Sequence, residues 1–133
     1  LPVCELYAGG ELCKPYLKGQ RVYVNPKKPQ ASHGVRVEWN YNMLKKYVSS
    51  GCKDYVLPTL CNYGFPPCDL THSEAKPRKF CQDDCLVLKN DLCKAEFAYA
   101  GSISYVSHLL PDCASMPAVG DPSYKSCIRV VSQ

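Results

Sequence analysis

The chain has 133 residues, of which ten are cysteine, eleven proline and ten tyrosine, and a formal net charge of +4 at neutral pH. That length suits one domain, taken as residues 1–133, which can bury about two-thirds of its unfolded surface without needing cross-links to provide a core. The modest charge speaks against a nucleic-acid binder, and no run of eighteen apolar residues is present to insert in a bilayer.

An even number of cysteines at this density predicts five disulfides and an oxidising compartment, outside the cell or in the secretory lumen. The chain opens at Leu1 without a charged-then-apolar leader and reads as a mature fragment of something secreted or anchored elsewhere. No Asn is followed at the right spacing by Ser or Thr, so glycan on Asn is not expected. Residues 1–53 carry nine Lys and Arg against three acids, and residues 54–133 seven against nine. Lys14, Lys18, Arg21, Lys27 and Lys28 form a mild basic pole. An ordinary solvated surface accounts for it, and so does contact with an acidic polymer such as a glycosaminoglycan.

Taken in chain order, Arg21–Asn25 alternates and is rich in β-branched and aromatic side chains, which predicts a strand partnered by Glu5–Tyr7. From Gly34 to Ser50 the period becomes helical, with Val37, Tyr41, Leu44 and Val48 on one stripe and Trp39, Met43 and Tyr47 beside it. The apolar arc spans roughly 200°, wider than the ~100° one core contact requires, so the helix is expected to touch two things. Lys53–Tyr63 reads as a shorter helix with Pro58 near its start, ended by Gly64 and Pro66-Pro67. Cys68–Lys79 is a polar loop. Phe80 to about Ala100 reads as one long helix, with a stripe of Cys81, Cys85, Leu88, Leu92 and Ala95. Asp83 and Asp84 in its first turn suit the helix dipole. Gly101 stops it, an apolar segment containing Ile103, Tyr105 and Val106 follows, and the tail from Pro111 is loop held by Cys113 and Cys127.

Catalytic and metal chemistry find no support. Zinc sites use pairs such as C-x2-C, and this chain has none. Cys81-x3-Cys85 spans one helical turn and reads as two cysteines reaching for separate partners. His33, His72 and His108 lie far apart in no motif, and no G-x-S-x-G is present. The expectation is no enzyme, no metal and no cofactor, but a disulfide-stapled recognition module whose tyrosines add amphipathic contact surface.

The cysteine order and the runs Leu57-Pro58-Thr59-Leu60-Cys61, Phe65-Pro66-Pro67-Cys68-Asp69, Pro77-Arg78-Lys79-Phe80-Cys81-Gln82-Asp83-Asp84-Cys85-Leu86-Val87-Leu88, Asp91-Leu92-Cys93, Leu110-Pro111-Asp112-Cys113 and Cys127-Ile128-Arg129 resemble the Frizzled-type cysteine-rich domain. Within that class they are most similar to the version in the ROR family of receptor tyrosine kinases. The resemblance implies a mostly α-helical, disulfide-rich bundle with a short N-terminal β element. It also implies the pairing Cys4–Cys68, Cys13–Cys61, Cys52–Cys93, Cys81–Cys127 and Cys85–Cys113. The absence of sequons departs from the family's usual pattern.

The ligand so implied is a Wnt glycoprotein, or the fatty acyl chain it carries, held in a hydrophobic groove along the first helix and the segment after Gly101. Trp39, Met43, Tyr47, Phe97, Ile103, Tyr105 and Val106 are the residues expected to line it, and a bound fatty acid is the one small molecule anticipated. The setting implied is the ectodomain of a single-pass cell-surface receptor whose kinase lies outside this chain. The alternative is a protein–protein module of the same fold with a filled groove, binding a co-receptor or itself.

Overall fold

The computed structural model describes residues 1–103 and 110–131. They are mostly α-helical and disulfide-rich with a short N-terminal sheet, and they cluster into two compact units. The first unit comprises Leu1–Lys46 and Val56–Arg78; the second comprises Tyr47–Tyr55 and the chain from Lys79 onward.

In the first unit, strand β1 (Val3–Leu6) pairs antiparallel with β2 (Arg21–Val24), in the register Val3↔Val24 to Leu6↔Arg21. The short helix α1 (Lys14–Leu17) lies between them in sequence. Alternation along β2 buries Val22 and Val24 and leaves Arg21 exposed, as a two-residue period requires. The other edge of β2 is occupied too: Tyr23 N–H donates to Pro66 O at 2.8 Å and Cys68 N–H to Arg21 O at 2.9 Å. The core below consists of Cys13, Leu17, Val22, Val24, Val37, Cys61 and Phe65, with Tyr7 packed edge-on against Phe65 at 5.1 Å. Two bridges, Cys4–Cys68 and Cys13–Cys61, close this unit.

Helix α2 spans Gln30–Leu44, starting four residues before the expected Gly34 and ending well short of Ser50. Its start is fixed by Pro29, whose φ of −64° and ψ of 160° turn the chain into the first helical residue. Gln30 then plugs the junction with the sheet. Its buried side-chain amide accepts from Ala8 N–H at 2.8 Å and donates to Glu5 Oε1 and Leu6 O, each at 3.0 Å. One turn on, Gly34 meets the β1 exit loop so closely that a Cβ there would stand 2.3 Å from Gly9 O.

Helix α3 spans Lys53–Gly64 and contributes Val56 onward to the first unit. Pro58 is buried in its middle, not near its start, and Asn62 Nδ2 donates to Pro58 O at 2.8 Å.

In the second unit the expected long helix over residues 80–100 is interrupted. It consists of α4 (Gln82–Val87), a π-helical segment (Leu88–Leu92) and α5 (Lys94–Gly101). Cys93 N–H reaches back five residues to Leu88 O at 2.7 Å, and Cys93 leaves helical geometry at φ −121°. The wide turn accommodates one extra residue and allows Cys93 to bridge to Cys52 while Cys85 bridges to Cys113 and Cys81 to Cys127. Among the described residues no cysteine is free.

The tail is strapped to the start of α4. Cys81 N–H donates to Ile128 O at 3.0 Å and Ile128 N–H to Lys79 O at 2.8 Å. Asp84 does more than complement a helix dipole. Its buried carboxylate accepts from Val130 N–H at 2.8 Å, Val131 N–H at 3.0 Å and Arg129 Nη1 at 3.1 Å. Asp83 accepts from the Tyr124 hydroxyl at 2.8 Å and pairs with Arg129 at 3.4 Å.

Gly34→Ala tests the close approach of α2 to the exit loop. An alanine in an exposed helix interior normally gains ~1 kcal/mol over glycine. Here the new methyl meets a backbone carbonyl, and overpacking of that kind costs about 1–3 kcal/mol. Chemical denaturation should therefore show Gly34→Ala less stable than the parent; a gain in stability would place the two backbones farther apart.

Three carboxyls of the second unit predict its acid response. Burial raises the Asp83 pKa, but bonds from Tyr124, the Asp84 amide and Arg129 outweigh it and hold it below its ordinary value. Burial likewise raises Glu96, outweighed by the Ser49 N–H, and the Ser123 hydroxyl and amide lower Asp121. Folded values below unfolded ones mean that this stability is present above the unfolded pKa of about 4 and is lost as pH falls through the folded values. Melting temperature should stay flat from pH 7 to about 5 and fall below pH 4, and Asp83→Asn with Glu96→Gln should flatten that fall.

Candidate functional site

The outward face of α2 is the most apolar exposed helix surface of the first unit. Val35, Trp39 and Met43, at i, i+4 and i+8, are 71%, 64% and 46% exposed. Residues at this spacing line up along one side of a helix. Gln30 and Val37 are buried on the other side, with Tyr41 and Leu44 half-buried beside them. The helix is thus held by one face and presents a second apolar row to solvent. At 100° per residue, Arg36 and Asn42 project on either side of that row. Both are exposed.

This corrects the expected arrangement. Trp39 follows Val37 by two residues, so it points roughly 160° away from it. Trp39 therefore lies opposite the buried stripe, not beside it. Val48 and Tyr47 fall after the end of α2, because the chain past Lys45 is drawn into other bonds: Ser49 N–H donates to Glu96 Oε2 at 2.8 Å, and Ser49 O accepts from Cys52 and Lys53. Val35, which completes the row, was missed by the sequence reading, although its spacing of four from Trp39 is legible there.

The remaining residues expected at a ligand groove divide as follows. Trp39 and Met43 lie together on α2 in the first unit. Tyr47 (80% exposed), Phe97 and Ile103, both half-buried, belong to the second. Tyr105 and Val106 lie outside the described residues. In the second unit Tyr99 on α5 is 72% exposed and adds an aromatic surface that the sequence reading did not single out.

The expected basic residues Lys14, Lys18, Arg21, Lys27 and Lys28 are all exposed in the first unit. The histidines do not converge. His33 packs against the Phe65 ring at 6.0 Å, His72 stands 3.5 Å from Asp69, and His108 lies outside the described residues. Cys52, Cys93 and Glu96 do approach within 4.8 Å of one another. The two sulfurs are bonded to each other, however, so neither offers the thiolate that metals take, and Glu96 already accepts from Ser49.

What the described residues offer is therefore contact chemistry. A tryptophan two-thirds exposed, in line with a methionine and a valine and edged by Arg36, is the composition of a protein or lipid contact surface. Residues 4–129, nearly the whole chain, match the family model of the Fz domain.

Proposed function

We propose that this chain, which belongs to the Fz-domain family of extracellular, non-catalytic, Wnt-binding-type cysteine-rich modules, acts as the single ligand-recognition module of a ROR-like receptor tyrosine kinase ectodomain. The row Val35–Trp39–Met43 is the apolar anchor for a Wnt or its acyl chain. The exposure of Trp39 carries this reading. Trp39 stands exposed in one row with Val35 and Met43, a contiguous apolar strip and not a lone side chain, and tryptophan supplies a disproportionate share of the binding energy in protein contacts. An acyl chain laid along such a row gains ~0.8 kcal/mol per methylene it buries. The family resemblance also names as ligand contacts Tyr47, Phe97 and Ile103, which belong to the second unit, and Tyr105 and Val106, which lie outside the described residues.

A second reading has an observation in its favour. The α2 row stands out in solvent with the polar Arg36 and Asn42 at its flanks, a pattern that also fits a protein partner, a co-receptor or a second copy, with no acyl chain involved. Native mass spectrometry of the purified protein separates the two: a co-purified fatty acid supports the acyl reading.

The central test compares faces of one helix. Trp39→Ala and Met43→Ala remove exposed side chains and should leave the melting temperature within about a degree or two, since surface substitutions usually stay within ±0.5 kcal/mol. Surface plasmon resonance should show Wnt capture weakened by about thirtyfold or more for Trp39→Ala, the ≥2 kcal/mol of an interface hot spot. Leu44→Ala, on the inward side and half-buried, should instead cost about 1–2 kcal/mol of stability. Unchanged Wnt binding by both outward variants would remove α2 from the recognition surface.

A further inference from the structure

Charge is divided unequally between the units. The first carries ten Lys and Arg against five carboxylates, a net of +5, and the second six against seven. In the second unit Arg129 is neutralised by Asp83 and Asp84. In the first, among the described residues, no carboxylate pairs with Lys18, Arg21, Lys27 or Lys28. Lys14 meets Glu11 at 3.6 Å, but the side chains are 48% and 89% exposed. A pair so solvated holds its lysine only weakly.

Local geometry gathers three of these cations. Lys14 and Lys18 are separated by four residues, one turn of α1, while Leu17 between them points inward at 0% exposure. The chain then reverses through a tight turn. Lys18 has φ −55° and ψ 128°, Gly19 has φ +81°, and Gln20 N–H donates to Leu17 O at 2.9 Å. These are the angles of a type II turn, whose third position favours glycine because φ is positive there. The reversal delivers Arg21 to the solvent side of β2, since Val22 next to it is buried. Lys14 and Lys18 also edge a shallow cleft of about 280 Å³ lined by Tyr7, Ala8, Gly10 and Glu11. Lys27 and Lys28 belong to a separate turn, closed by Lys28 N–H on Asn25 O at 2.8 Å, at the far end of β2. Four strand residues place the two groups ~10 Å or more apart.

We propose that Lys14, Lys18 and Arg21 form a binding site for a sulfated polysaccharide, independent of the α2 face. The chemistry selects the polymer. The module is extracellular, and anionic lipid is concentrated on the cytoplasmic leaflet, the wrong side of the membrane. Lysine ammoniums are compact charges on flexible stems that suit a flexible polyanion, while Arg21 adds a planar fork for one sulfate. Binding through such contacts is steeply salt-dependent.

The test runs three proteins on immobilised heparin and on a sulfonate cation exchanger: the parent, Lys14→Ala/Lys18→Ala/Arg21→Ala, and Lys27→Ala/Lys28→Ala. Unchanged melting temperatures establish that all three are folded. The parent should elute from heparin above the physiological ~0.15 M salt. The triple variant should elute near or below it, with a larger shift than on the exchanger. The double variant should shift equally on both columns. Soluble heparin should compete, and desulfated heparin should not. An equal shift of the triple variant on the two columns would reduce the site to net charge. A larger loss in the double variant would move the site to the other turn. Tighter binding to phosphatidylserine vesicles than to heparin at physiological salt would replace the glycan with a membrane surface. Each of these three results overturns the proposal.

Discussion

Ten sulfurs close five loops, and each loop closes within one unit: Cys4–Cys68 and Cys13–Cys61 in the first, Cys52–Cys93, Cys81–Cys127 and Cys85–Cys113 in the second. The cross-linked partners lie 28 to 64 residues apart, so each bridge removes a large part of the unfolded chain's freedom, about 4 kcal/mol apiece in the chain-entropy account. Short and irregular elements can then persist. A four-residue strand pair is marginal alone, and α1 is a single turn. Both are held because Cys4, within β1, and Cys13, at the start of α1, are fixed covalently to Cys68 and Cys61.

Within that frame, α2 is divided between holding and presenting. Gln30 satisfies its whole buried amide against Glu5, Leu6 and Ala8, and Val37 enters the core. These contacts fix the helix in rotation and in register with the sheet. Val35, Trp39 and Met43 are consequently outward by geometry, not by looseness. A rigid helix presenting an aromatic side chain loses little conformational freedom when a partner covers it. The basic turn at Lys18–Arg21 is built on the same economy, since its shape is set by Gly19 and by the strand that follows it.

Much of the fold was legible in the residues. The alternation of Arg21–Val24, the helical stripe of Val37, Tyr41 and Leu44, and the buried Cys81, Cys85 and Leu88 all stand where their periods put them. Which sulfur meets which was accessible only through the family resemblance, because spacing alone leaves the pairings open. What periodicity misses is anything decided at long range. The break at Leu88–Leu92 follows from where Cys93 has to go. The role of Asp84 depends on amides some 46 residues away, and nothing local distinguishes it from a first-turn carboxylate. The site was legible in part: Trp39 and Met43 were singled out, but they were placed beside the core stripe when simple helical arithmetic sets Trp39 across from it.

The π-helical segment has a consequence of its own kind. It works as a phase shifter. One residue taken up in a wide turn leaves the chain helical on both sides but rotates everything after it by ~100°. The faces that α5 shows, Tyr99 outward and Phe97 half-buried, are thus set by how many residues stand between Cys85 and Cys93 more than by which they are. Lys89, Asn90 and Asp91 are exposed, and their identities are free to drift. Their number is not, so related chains should vary here in spelling while keeping the same length.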